Sequence, residues 1–120
     1  EKNPVYYVQY AHARIASILK KTKKLEEKKN TEAPHPSELA LVKLLLQFPE
    51  MIREVTTSYE VQKVPFYALD LARIFHDFYT RCRVIDNDHV ITSRLILVQA
   101  TKKVLAETLG LMGISAPESM

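Results

Sequence analysis

Hydrophobic residues recur at helical spacing along most of the chain, and the first such stretch begins close to the first residue. At about 100° per residue, one face of this stretch collects its apolar side chains. These residues are Val8, Ala11, Ile15, Ile18 and Leu19. Asn3 can cap the helix, and Pro4 can occupy its first turn, where the missing N–H has no cost. The pattern predicts a first helix from about residue 4 to residue 28.

The predicted first helix ends in a charged run, Lys20 to Lys29, that contains little to bury. Lysines near the C-terminus of a helix interact favourably with its dipole. We therefore interpret the run as a solvated extension of the helix, with phosphate binding as the alternative.

Four further helical patterns follow, mostly behind a proline or a turn. They cover residues 36–47, 49–59, 65–82 and 89–109. The second helix is apolar nearly all round, which predicts that it is the central buried helix. Asp86, Asn87 and Asp88 form a turn and a candidate N-cap before the fifth helix. Gly110 and Gly113 supply its stop signals.

No convincing run alternates polar and apolar residues, so the sequence predicts five helices and no sheet. The fold class is all-α, a helix bundle with short loops. The expected core is led by seven residues, Leu41, Leu44, Leu45, Phe75, Leu95, Val98 and Leu105.

A second face of the first helix has a different chemistry. Tyr7, Tyr10, Arg14 and Lys21 gather there, roughly 120° from the apolar face. Aromatic rings can stack on unpaired bases while cations hold phosphates. The alternative is that the tyrosines are half-buried helix residues and Arg14 pairs with a carboxylate. The spacing by itself leaves these two interpretations about equally favoured.

Composition limits the classes of function. The chain has 120 residues and a net charge of +3, which fits one domain and permits an anionic partner. Two glycines are too few for a Gly-rich phosphate loop or a dinucleotide-binding fingerprint. Cys82 is the only cysteine, which excludes an internal disulfide and a cysteine-based zinc site and agrees with a reducing cytosol. No apolar run reaches membrane-spanning length.

The candidate nucleophiles, acids and bases form no catalytic pattern. None of the four histidines stands four residues from another, so no helical metal-binding pair is expected. His12 is expected to hydrogen-bond within the fold, and Cys82 to act as a small buried hydrophobe. We predict no catalytic residue and no metal site. Because the chain starts without methionine and leads almost directly into a helix, we expect a piece of a longer protein.

Several blocks together resemble one known family. The first is Tyr7-Val8-Gln9-Tyr10-Ala11-His12-Ala13-Arg14, which is similar to the opening of the C-terminal anticodon-binding (DALR) domain of arginyl-tRNA synthetases. Further blocks match in order. They are Glu38–Leu41 with Leu46 and Phe48–Glu50; Leu71-Ala72 with Phe78-Tyr79 and Cys82–Val84; Arg94-Leu95 with Ala100 and Val104-Leu105; and Gly110-Leu111, Gly113-Ile114, Ala116–Glu118 and Met120. Because all five blocks occur in the same order, the resemblance favours the arginyl-tRNA synthetase over the cysteine and glycine enzymes, which carry related domains.

The resemblance implies a single domain over residues 1–120, with the five-helix bundle of the class I synthetase anticodon-binding type. Its expected partners are the anticodon stem-loop of tRNA(Arg) and the catalytic domain of the same chain. That missing domain of the parent enzyme would attach arginine to tRNA with ATP and Mg²⁺, so this fragment needs no cofactor and should be inactive alone. A cytoplasmic, monomeric protein without membrane contact is expected.

The resemblance also carries the family's anticodon-binding positions onto this sequence. The matching residues are Tyr7, Tyr10, Arg14, Tyr79 and Met120. The family has a basic residue before the final methionine, where this chain has Ser119, so one backbone contact is in question. Tyr79 could alternatively be a core aromatic, and Met120 could belong to a disordered tail.

Two other classes of function stay open at this point. A helical protein-interaction module would use the broad apolar surface of the second and third helices and would show no salt-sensitive affinity for RNA. A small enzyme is opposed by the lack of a paired acid, base or nucleophile. Titration with tRNA(Arg) anticodon stem-loop RNA at two salt concentrations separates RNA binding from both.

Overall fold

The computed structural model describes residues 4–120 and confirms the predicted bundle of five helices. The helices are α1 (Pro4–Thr22), α2 (Pro36–Leu46), α3 (Phe48–Ser58), α4 (Lys63–Arg81) and α5 (Thr92–Leu111). The proposed cap Asn3 lies outside the described residues. Helix α4 packs against each of the other four helices and is therefore the centre of the bundle. In the part of the chain that is described, no helix is long and apolar enough to cross a membrane.

A small three-stranded sheet, which the sequence did not predict, joins the end of α1 to the start of α5. Its strands are β1 (Glu26–Lys28), β2 (Ile85–Asp86) and β3 (His89–Ile91), in the order β1-β3-β2. β1 runs parallel to β3, and β2 pairs with it antiparallel. Strands of two or three residues are too short to show a period of two, which is why the prediction of no sheet was wrong.

The sheet corrects two predicted helix ends. The first helix stops at Thr22 rather than near Lys28, so part of the charged run is β1 and not a helical extension. The fifth helix begins at Thr92, because His89 to Ile91 pair as β3. The turn between β2 and β3 has Asn87 at φ 58°, a left-handed conformation that asparagine adopts more readily than most residues. The predicted N-cap in this segment was wrong, since the cap position of α5 is Ile91.

The core lies where α1, α4 and α5 meet. Its largest fully buried side chains include Val8, Ile15, Leu71, Phe75, Phe78, Val98, Leu105 and Leu109. The predicted core residues Leu41, Phe75, Leu95, Val98 and Leu105 are buried. Leu44 and Leu45 are only partly buried and pack against the edge of the core.

Helix α2 is not the central helix, contrary to the prediction. Leu41 is its one buried hydrophobic residue among those described, whereas Leu39 and Leu46 are exposed. The carbonyl of Leu44 accepts a hydrogen bond of 2.7 Å from the hydroxyl of Tyr67 on α4. A helix that packs along one side buries only one stripe of its surface. The apolar residues all round α2 therefore do not place this helix at the centre of the bundle.

Candidate nucleic-acid interface

The five predicted site residues come together around Arg14. Tyr7, Tyr10 and Arg14 stand on successive turns of α1 and line a small hollow against α4. Tyr79, near the end of α4, is in contact with Arg14. Met120, at the end of the tail, lines a second hollow of about 300 Å³ with Tyr10 and Arg14. One surface therefore contains all five residues, and we call it the Arg14 surface.

Arg14 is held by a histidine and an aromatic ring. Its Nη1 lies 2.8 Å from Nδ1 of His76, and its guanidinium carbon lies 5.3 Å from the centre of the Tyr79 ring. Because a guanidinium can only donate, Nδ1 of His76 accepts, which describes a neutral imidazole with its proton on Nε2. Among residues 4–120 no carboxylate pairs with Arg14, so these residues leave its positive charge without a counter-charge.

Sequence reasoning did not identify His76 as a member of this surface. The available signal was the spacing between His76 and Tyr79, because residues three apart in a helix lie on the same face. This spacing places His76 in the Arg14 surface only because α1 packs against the same face of α4.

The three tyrosine rings have different surroundings. Tyr10 is 53% exposed, whereas Tyr7 and Tyr79 are half-buried. The Tyr79 ring is stacked near that of Phe75, with a centroid distance of 5.9 Å and an interplanar angle of 17°. Since Phe75 and Arg14 both contact Tyr79, its ring supports the surface from below. Tyr10 presents the more accessible ring.

The C-terminal tail packs across α1. It leaves α5 at Gly113, which has a left-handed φ of 72°, and the amide of Ile114 donates to the carbonyl of Leu109 at 2.9 Å. This is the pattern of a glycine-terminated helix. Gly113 therefore acts as the predicted stop signal, while Gly110 lies within α5.

Three polar contacts hold the tail in place. Nε2 of Gln9 donates to the carbonyl of Ser115 at 3.1 Å. Nδ1 of His12 lies 2.7 Å from the carbonyl of Pro117, so this nitrogen carries the proton. Lys102 forms an ion pair of 3.0 Å with Glu118. The predicted internal hydrogen bond of His12 is confirmed, and the tail packs against α1 and α5.

Residues 4–120 include histidine, cysteine and carboxylate side chains, the residue types that ligate metal ions. No group of three or more histidine, cysteine or carboxylate side chains there is arranged to hold a metal ion. Cys82 is buried, as predicted, with its sulfur 3.3 Å from the hydroxyl of Ser37.

The bundle and the Arg14 surface define a helical domain with an aromatic and basic face, closed on one side by its own tail. The DALR anticodon binding domain model matches residues 8–120. The chain is 45% identical to the arginine–tRNA ligase of Symbiobacterium thermophilum over 98% of its own length, and 46% identical to that of Dehalococcoides mccartyi over 99%. Thermus thermophilus arginyl-tRNA synthetase superposes with a TM-score of 0.71 at 35% identity, over 95% of this chain and 21% of that one.

The chain therefore belongs to the DALR anticodon binding domain family, and the prediction of this family is confirmed. The curated relatives just named are arginine–tRNA ligases. The chain spans 23% and 22% of the length of these two relatives, so it corresponds to one part of such an enzyme.

Proposed function

We propose that this chain binds the anticodon loop of tRNA(Arg) through the Arg14 surface, as one domain of a longer arginine–tRNA ligase. The observation that carries the proposal is the environment of the Arg14 side chain. Its guanidinium is fixed by His76 and Tyr79, and no carboxylate among residues 4–120 neutralises it. A fixed cation between aromatic rings has the chemistry needed to hold an unstacked nucleotide.

Each residue has a distinct role in this proposal. The exposed ring of Tyr10 stacks on a base that turns out of the loop. Arg14 holds the neighbouring phosphate or base edge. Tyr7 and Tyr79 support the two sides of Arg14, and Met120, 55% exposed at the end of the tail, closes over the same nucleotides.

The proposal extends to the full protein of which this chain would be one domain. The full protein would be a cytoplasmic, monomeric arginine–tRNA ligase, and its catalytic domain would use ATP and Mg²⁺. This chain would supply affinity for the anticodon end of the tRNA, while the catalytic domain holds the acceptor end. Two linked contacts bind more tightly than either one, so the isolated chain should bind tRNA more weakly than the full enzyme.

The test is titration of the chain with the tRNA(Arg) anticodon stem-loop at two salt concentrations, beside a stem-loop of unrelated loop sequence. We expect salt-sensitive binding that favours the tRNA(Arg) loop, and a flatter salt dependence for Arg14→Ala if the contact is to phosphate. Equal affinity for both loops, or a stable complex with a protein partner in place of RNA binding, would overturn the proposal.

A further inference from the structure

A second cavity lies beside the Arg14 surface, on the far side of the C-terminal end of α4. Its volume is about 520 Å³, within the range of small-molecule and nucleotide pockets. The end of β1 and the loop after it form one wall, and the last turn of α4 forms another. Tyr79 and Thr80 line this cavity, while Tyr79 also contacts Arg14. The two sites therefore share a residue and adjoin each other.

Positive charge predominates in this cavity. Its lining contains five basic residues, Lys28, Lys29, Arg81, Arg83 and Arg94, against the acidic Glu32 and Asp86. A protein with a net charge of +3 thus concentrates basic groups at one place. The charged run that the sequence analysis interpreted as solvated ends here, because β1 brings Lys28 and Lys29 to the cavity wall.

Two of these cations remain accessible to a ligand. The side chain of Lys29 has no ion-pair partner among the residues that the structure describes. Arg83 is 72% exposed and meets Asp86 only at 3.3 Å, while Lys28 occupies the same carboxylate at 2.5 Å. An incoming anion can therefore bind Lys29 and Arg83 without breaking a strong ion pair.

Arg94 gives the cavity a rigid, buried wall. It is 3% exposed, and its Nη1 and Nη2 donate to the carbonyl of Arg83 at 3.0 Å and to Glu38 at 3.1 Å. Its Nε is the one buried side-chain nitrogen or oxygen in residues 4–120 that lacks a hydrogen-bond partner. Because this nitrogen is shielded from solvent, binding of an anion in the cavity falls to the exposed Lys29 and Arg83.

We infer that this cavity is a second nucleotide subsite, which holds a phosphate and sugar of the same RNA strand next to the nucleotides at the Arg14 surface. The inference rests on the proposed function, since the strand must first be held at Arg14. Lys29 and Arg83 bind the phosphate, and Tyr79 separates the two subsites.

The test uses the double variant Lys29→Gln/Arg83→Gln, with Lys43→Gln/Lys103→Gln as a control that removes two exposed charges elsewhere. We expect the first variant to weaken stem-loop binding about 3- to 30-fold, because exposed ion pairs each contribute up to about a fivefold factor. The slope of log K against log salt should fall by about 0.7, the value expected for the loss of one single-strand phosphate contact. The control should change neither quantity comparably.

A methylphosphonate scan of the loop identifies the phosphate involved. At one position the uncharged linkage should weaken binding to the unsubstituted protein but not to Lys29→Gln/Arg83→Gln. If the double variant behaves like its control while Tyr10→Ala still weakens binding, the second subsite is refuted and the proposed function stands. If the unsubstituted chain does not bind the stem-loop, both fail.

Discussion

Arg14 and His76 are 62 positions apart in the chain and share a hydrogen bond of 2.8 Å between Nη1 and Nδ1. The bond joins α1 to α4 at the surface of the bundle and fixes the direction of the guanidinium. Without it, Arg14 would be a long flexible side chain on a solvated face, and ordering it on binding would cost conformational entropy. Preorganisation of Arg14 is the property on which the proposed RNA interface depends.

Substitution of His76 should reveal this positioning. We expect His76→Ala to weaken stem-loop binding by about 0.5–1.5 kcal/mol, the usual contribution of one hydrogen bond. Because His76 is exposed, the free energy of unfolding should change little. Binding titrations of His76→Ala, Arg14→Ala and the double variant measure the coupling. Additive effects of the two substitutions would show that His76 does not act through Arg14.

Tyr10 should contribute through stacking. We expect Tyr10→Ala to weaken stem-loop binding by about 1–3 kcal/mol, the range for one base stacked on an aromatic ring. Tyr59→Ala is the matched control, because Tyr59 is 83% exposed and lies at the end of α3, away from the surface. Equal affinity of Tyr10→Ala and the unsubstituted protein, with both folded, would remove Tyr10 from the interface.

The tail should loosen when one of its contacts is removed. Gln9→Ala deletes the hydrogen bond to Ser115, so amide hydrogen exchange in residues 114–120 should become faster. Gln99→Ala, an exposed glutamine on α5, is the control. RNA affinity should fall with Gln9→Ala only, because Met120 is then less well placed. Unchanged exchange would mean that His12 and Lys102 hold the tail without Gln9.

Burial should decide the stability effects of leucine substitutions. Leu105 is fully buried, and Leu105→Ala is expected to lower the free energy of unfolding by about 2–5 kcal/mol. Leu46 is 74% exposed, so Leu46→Ala should change stability by no more than about 0.5 kcal/mol. Leu45, which is partly buried, should fall between them. Urea unfolding followed by circular dichroism measures all three, and a large loss for Leu46→Ala would contradict the placement of α2.

The buried pair of Glu38 and Arg94 should make stability depend on pH. Burial raises the pKa of Glu38, but hydrogen bonds from Arg94 and the His35 backbone outweigh it, and the pKa lies below its ordinary value. A carboxyl with a lower pKa in the folded state stabilises the fold above its unfolded pKa, which is about 4.3. This stabilisation is lost as the pH falls through the folded pKa.

Glu38→Gln is the corresponding substitution. At pH 7 it should cost about 3 kcal/mol of stability, the low end of the range for breaking a buried pair, because the buried guanidinium of Arg94 then keeps only a longer contact of 3.7 Å with the exposed Glu32. The difference from the unsubstituted protein should shrink below about pH 4.3. Urea unfolding at neutral and acidic pH measures this difference in the free energy of unfolding. A difference that does not change with pH would contradict an ionised Glu38 paired with Arg94.

The helices and the aromatic and basic face of α1 could be read from the sequence. Tyr7, Tyr10 and Arg14 are separated by three and four residues, and such spacing places side chains together within one helix whatever the helix packs against. The blocks that resemble the DALR family could also be recognised from the sequence, because such a match depends only on residue types and their order along the chain. The positions of Tyr79 and Met120 beside Arg14 came from that resemblance and not from any local pattern.

Tertiary structure alone decided the contacts between segments that are distant in the sequence. The pairing of β1 with β3, the hydrogen bond between Arg14 and His76, and the packing of the tail on Gln9 and His12 join residues about 60 to 106 positions apart. Helix α2 shows the same limit, because its leucines follow a pattern that fits a central helix and yet it lies at the edge of the bundle. Local spacing fixes which side chains share a face of a helix, but only the packing of the whole chain determines what that face contacts.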